Sequence, residues 1–174
     1  LYFTLIYFTI QVSVYGVLFY LPTRIAELLG TGIGLQVGAL TSIPWIATVC
    51  MLYAVTRRAD RKGQQTRYAA WMLGLAALGM VGSTLSASLP LVILTFCLAA
   101  SGFITVQPLF WTLPTRLLSG AAAASGIAVI GALGNLGGFL APTVKTFVEQ
   151  HFDNPHAGMY FLAGTALLGA LMLL

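Results

Sequence analysis

The most constraining feature of this chain is how little of it is charged, and where the few charges sit. Only 7% of its 174 residues are Asp, Glu, Lys or Arg, while 59% are hydrophobic. A soluble domain carries about 25% charged residues. Mean hydropathy is +0.93. A soluble fold of this length cannot hide so much apolar surface, so the expected solvent is lipid. Six apolar runs are each long enough to cross about 30 Å of hydrocarbon at about 1.5 Å per residue. They are predicted at 2–21, 36–56, 68–86, 90–111, 120–147 and 157–174. Pro22 is expected to stop the first, Pro44 to kink the second and Pro142 to bend the fifth. The predicted fold class is therefore an all-α membrane protein of six transmembrane helices.

The basic residues then set an orientation. Arg57, Arg58, Arg61, Lys62 and Arg67 fall in the stretch TRRADRKGQQTR, and Arg116 falls in the 112–119 turn. These two connections lie on one side of the bilayer. Only Arg24 and Lys145 lie on the other, beside Glu27, Glu149 and Asp153. That asymmetry places loops 57–67 and 112–119 in the cytoplasm of a cell membrane, bacterial inner membrane by expectation. The net charge of +4 does not imply nucleic acid, because the basic residues are confined to a short loop and form no face. Cys50 and Cys97 both sit in apolar runs and read as small hydrophobes. Leu1 is already inside an apolar run and the last residues are LMLL, with no basic leader or cleavage site. No signal peptide is expected, and the chain reads as part of a longer polypeptide.

An internal repeat adds architecture. LFYLPTRIAELLG at Leu18 to Gly30 is echoed by LFWTLPTRLLSG at Leu109 to Gly120. In each copy GAL follows in the next apolar run, at Gly38 to Leu40 and at Gly131 to Leu133. A spacing of three helices gives the copies opposite orientations, an inverted 3+3 repeat with a site expected between the repeats.

Polar residues inside the spans are few and so informative. Thr4, Tyr7, Gln11 and Tyr15 recur at three- and four-residue spacing and share one helix face. Such a stripe lines a cavity or meets a neighbouring helix. Asn135 is the only strongly polar side chain of the fifth run before Lys145, among Gly131, Gly134, Gly137 and Gly138, which suits helix packing as well as ligand approach. Gln107, Trp111 and Thr112 offer amide, indole and hydroxyl donors to a carboxylate. Enzyme chemistry finds little support. Glu149, His151, Asp153 and His156 lack metal-site spacing and are interrupted by Pro155, and Ser101 and Ser125 have no intramembrane histidine to activate them. No catalytic residue, metal or cofactor is expected.

Three stretches resemble a known family: YGVLFYLPTRIAELLG with QVGALTSIPW, the loop ADRKG, and FWTLPTRLLSGAAAASGIA with GNLGGF. The chain is similar to the C-terminal six-helix half of a major facilitator superfamily transporter of the anion:cation symporter family, whose members include sugar-acid, tartrate and phthalate transporters. It departs from the pattern at Thr56, at Gln64 and Gln65, where a basic pair is usual, and at Gly131 and Ala132. The resemblance implies secondary active transport of a small organic anion, a hydroxy or sugar carboxylate, by alternating access with a proton or sodium ion as coupling partner. It implies an N-terminal six-helix half as partner, carrying the coupling acid and the anion-binding arginines. Substrate contacts fall to Gln11, Tyr15, Gln107, Trp111, Thr112 and Asn135, and a conformational latch to Asp60, Arg61 and Gly63. The alternatives left open are a facilitator of another substrate class and a membrane packing protein that transports nothing.

Overall fold

The computed structural model describes residues 1–30, 32, 34–85 and 88–174, and only the backbone of residues 121 and 122. It contains six helices: α1 (Tyr2–Leu29), α2 (Leu35–Lys62), α3 (Gln65–Thr84), α4 (Leu89–Leu117), α5 (Ala121–His151) and α6 (Ala157–Leu173). Four of them, α1, α2, α4 and α5, are long and apolar enough to cross a membrane by length and composition. A helix of 28 residues, such as α1 or α2, is about 42 Å long, so its ends project beyond the hydrocarbon.

The helices outrun the expected bounds at their proline-bearing ends. Pro22 does not stop α1, which continues to Leu29. Pro108 and Pro114 both lie inside α4, so the expected 112–119 turn is largely its final stretch. The physical reason is that a proline forfeits only the bond to the carbonyl four residues before it, at Leu18, Leu40 and Gly138, while a hydroxyl near each proline adds a bond to another carbonyl of the same stretch. Thr23 donates to the Tyr20 carbonyl at 2.7 Å, Thr48 to that of Pro44 at 2.8 Å and Thr146 to that of Pro142 at 3.0 Å. The basic loop is corrected in the same sense. Residues 57–62 are the last turns of α2, and only Gly63 and Gln64 separate α2 from α3. Gly63 ends α2 in the left-handed conformation, φ 63°, with its N–H on the Ala59 and Asp60 carbonyls. A residue without Cβ adopts that cap at least cost.

Packing follows the 3+3 repeat. α1 lies against α5 and α6, and α4 against α2 and α3. α3 meets α6, and α1 crosses α4. Exchanging α1–α3 for α4–α6 maps this set of packed pairs onto itself, as two copies of one three-helix unit require. Phe96, Phe103 and Phe110 recur every seven residues on α4 and are fully buried, with Ile6 and Ile10 of α1 and Leu73 and Met80 of α3. Small residues let the backbones touch: a Cβ on Gly79 would lie 2.5 Å from the Ala99 nitrogen of α4, and one on Gly137 would lie 2.5 Å from the Phe8 carbonyl of α1. α2 and α5 flank the bundle with Ile46, Val49, Tyr53, Val129, Leu136 and Phe139 exposed.

Candidate functional site

Three amides meet where α1, α4 and α5 converge. Gln11 of α1 is 4% exposed. Its Nε2 donates to Asn135 Oδ1 of α5 at 2.5 Å, and its Oε1 accepts from Gln107 Nε2 of α4 at 3.5 Å. The chain of bonds runs one way, from Gln107 through Gln11 to Asn135. Because Asn135 uses its oxygen as acceptor, its Nδ2 is left as the donor end of the chain, on a side chain exposed at the surface of the bundle. No Asp, Glu, Lys or Arg occurs in residues 1–23, 89–115 or 121–144, which carry this site. In such a surrounding each amide dipole counts for more than in water.

Aromatic rings wall the amides. Tyr7, one turn before Gln11, stacks on Phe110 with centroids 5.2 Å apart and meets the edge of Trp111 at 4.8 Å. The glycines around Asn135 are mostly occupied by α1: Gly134 lies against the Tyr7 ring, Gly137 against the Phe8 backbone and Gly138 against the Tyr15 ring. That groove seats a helix. Gly131 is the looser end, with Trp111 Cη2 3.9 Å from where its Cβ would be.

The six expected contact residues are thus placed unequally. Gln11, Gln107 and Asn135 are joined directly, and Tyr15 and Trp111 border them through Gly138 and Gly131. Thr112 donates to the Leu109 carbonyl of its own helix at 2.7 Å. Tyr7, read only as part of a stripe, is central to the wall. Ser13 was not singled out, yet it is fully buried and ties α1 to α6 through Thr165 Oγ1 at 2.8 Å and the Leu162 carbonyl at 3.1 Å. Its position one turn from Thr9 on a sparse polar helix was the available signal.

Of the residues expected to form a latch, Asp60 belongs to a polar bridge. Asp60 Oδ1 accepts from Gln65 Nε2 at 3.2 Å, while Gln65 Oε1 accepts from Arg116 at 3.3 Å. Gln65, 3% exposed, therefore bridges a carboxylate and a guanidinium across the ends of α2, α3 and α4. The clue was a glutamine standing where a basic residue is usual. These bonds place stretches 57–67 and 112–119 at one end of the bundle. Arg61 is exposed, and Gly63 is the cap of α2. At the opposite end Lys145 pairs with Glu149 at 2.7 Å and lies 4.6 Å over the Tyr20 ring. His151 stacks on Phe147, and among the described residues no three His, Cys, Asp or Glu side chains converge as metal ligands.

Comparison with known proteins identifies the family. The profile of the Major Facilitator Superfamily matches residues 1–142. The inner membrane transport protein RhmT of Escherichia coli (strain K12) is 43% identical over 169 residues, covering 97% of this chain and 39% of that protein. A quinolone resistance transporter of Acinetobacter baumannii is 35% identical, covering 97% of this chain and 38% of its own length. An Agrobacterium vitis protein whose name proposes tartrate transport is 33% identical, with 98% and 39% covered. The chain thus spans about two fifths of the length of the curated relatives it matches. It is a multi-pass membrane protein whose described residues form six helices, and it belongs to the Major Facilitator Superfamily.

Proposed function

We propose that this chain is the C-terminal half of an alternating-access secondary transporter of a small organic anion, a hydroxy or sugar carboxylate, coupled to a proton or sodium ion. The observation that carries the reading is the one-way amide chain that ends in the Asn135 Nδ2 donor. A donor end suits carboxylate and hydroxyl oxygens, which accept. Neutral donors at about 1 kcal/mol each give orientation and selectivity, and leave most of the anion's charge to be met elsewhere. The site-bearing residues 1–23, 89–115 and 121–144 supply no carboxylate for coupling and no arginine for the anion, and both are assigned to an N-terminal six-helix half across the substrate. The bacterial inner membrane fits the Escherichia coli relative's name. The relative named for tartrate favours the acid reading, and the relative named for quinolone resistance favours an aromatic cargo as second reading.

The test is uptake by the full-length protein of a labelled panel holding tartrate, sugar acids, a neutral polyol and a quinolone. Concentrative, ion-dependent uptake of an acid is expected. Uptake of the quinolone or polyol alone would overturn the anion reading.

A further inference from the structure

We propose that the cleft between α2 and α3 at the basic end of the bundle is a binding site for one anionic phospholipid, with the phosphate between Arg58 and Arg67. α2 and α3 are neighbours in sequence that hardly pack on each other, because each is held by α4. A cleft of about 820 Å³ opens there, bordered by Arg58 and Val55 on α2, by Arg67, Tyr68, Trp71 and Gly74 on α3, and by Leu174 after α6. Neither Arg58 nor Arg67 has an ion-pair or hydrogen-bond partner among the described residues. Of the other cations at this end, Arg57 donates to the Tyr53 hydroxyl at 3.1 Å and Arg116 to Gln65, while Arg61 and Lys62 do not border the cleft. Two unpaired guanidinium groups bordering one cleft can both donate to a phosphate, which accepts several charge-assisted hydrogen bonds.

The rest of the cleft has the chemistry of a lipid below its headgroup. Arg67, Trp71 and Gly74 follow at i, i+4 and i+7 and so form one stripe down α3. Trp71 is 75% exposed and lies about 6 Å deeper than Arg67, the level at which indoles mark the membrane interface. At Gly74 the wall is open, with no atom within 4 Å of where a Cβ would stand. An acyl chain laid past Trp71 toward Gly74 covers this apolar floor while the headgroup stays with the arginines. Basic pockets between transmembrane helices recognise anionic headgroups in this way.

The test uses the full-length transporter purified in detergent and melted with phosphatidylglycerol or with phosphatidylcholine of the same acyl chains. Phosphatidylglycerol is expected to raise the melting temperature by a few degrees more. The Arg58→Gln/Arg67→Gln protein should lose that increment, with lipid affinity about fivefold lower per arginine removed. The Arg57→Gln/Arg61→Gln protein, which loses the same charge outside the cleft, should keep it. Gly74→Phe should lose it with all arginines present. All variants should melt like the parent in phosphatidylcholine, which separates a lost site from a lost fold. Equal loss in both arginine pairs would reduce the effect to diffuse surface charge. No preference between the lipids would remove the site. A preference that emerges only after deletion of residues beyond Leu174 would make the chain's own continuation the occupant. Each of those results overturns the proposal, and none depends on what the protein transports.

Discussion

Gln11 and Asn135 form the shortest interhelical side-chain bond at the centre of the bundle, Nε2 to Oδ1 at 2.5 Å. Gln11 is buried and Asn135 is at the surface, so the buried amide fixes which way the exposed one faces. A packing bond and the donor proposed to face a ligand are therefore one device. Removing either partner disturbs both properties.

Stability tests the packing side of this relationship. Asn135→Ala leaves the Gln11 Nε2 buried with no acceptor, which costs about 1–3 kcal/mol. Gln11→Met removes the donor as well, so the double variant should recover much of that loss. A double-mutant cycle in thermal or denaturant unfolding of the full-length protein should show coupling of about 1 kcal/mol or more. Strict additivity would mean that the two amides do not depend on each other.

Glycine positions give the sharpest contrast between neighbours in sequence and neighbours in space. Gly79→Ala drives a Cβ to 2.5 Å from the Ala99 nitrogen, and should cost about 1–3 kcal/mol by forcing α3 off α4. Gly164→Ala meets no atom within 4 Å and should be neutral or stabilising by up to about 1 kcal/mol. Melting temperatures of the two variants in the same detergent check both signs.

The Asp60–Gln65–Arg116 bridge predicts a local effect at the basic end. Gln65→Leu takes the shared amide from two exposed charges that water still solvates, and should destabilise by about 1 kcal/mol. Faster hydrogen exchange at the ends of α2 and α4 should accompany it, with the Gln11 region unchanged. Unchanged exchange at both ends would contradict a bridging role.

Topology follows from the charge asymmetry. Single cysteines introduced at 57–67 should be shielded from an impermeant thiol reagent added to intact cells, and those at 148–156 should react. The reverse pattern would invert the orientation.

The number and type of elements were legible in the sequence because lipid removes ambiguity: an apolar run with no water to satisfy its backbone has to be helix. The ends were less so. Pro22 reads as a stop, yet a proline forfeits a single bond of the ladder and α1 runs on to Leu29. Residues 57–62 read as a loop by charge, although α2 is long enough to carry them past the hydrocarbon as helix. Within the site, the spacing of Thr4, Tyr7, Gln11 and Tyr15 reveals a face but not the helix it meets. That Gln11 joins Asn135, 124 residues away, depends on the glycines of α5 letting α1 approach, a property of the pair. Gln65 was harder still, since its role exists only once the end of α4 brings Arg116 to it.

Transport kinetics of Asn135 variants in the full-length protein test the central claim most directly. With an outward Nδ2 donor on the substrate acid, Asn135→Ala should raise KM about fivefold, the loss of about 1 kcal/mol, with less change in kcat. Asn135→Asp replaces the donor by an acceptor and should weaken the acid further, while sparing a neutral polyol if one is carried. Unchanged KM for the acid in both variants, with only an earlier melt, would make Asn135 a packing residue and contradict the account.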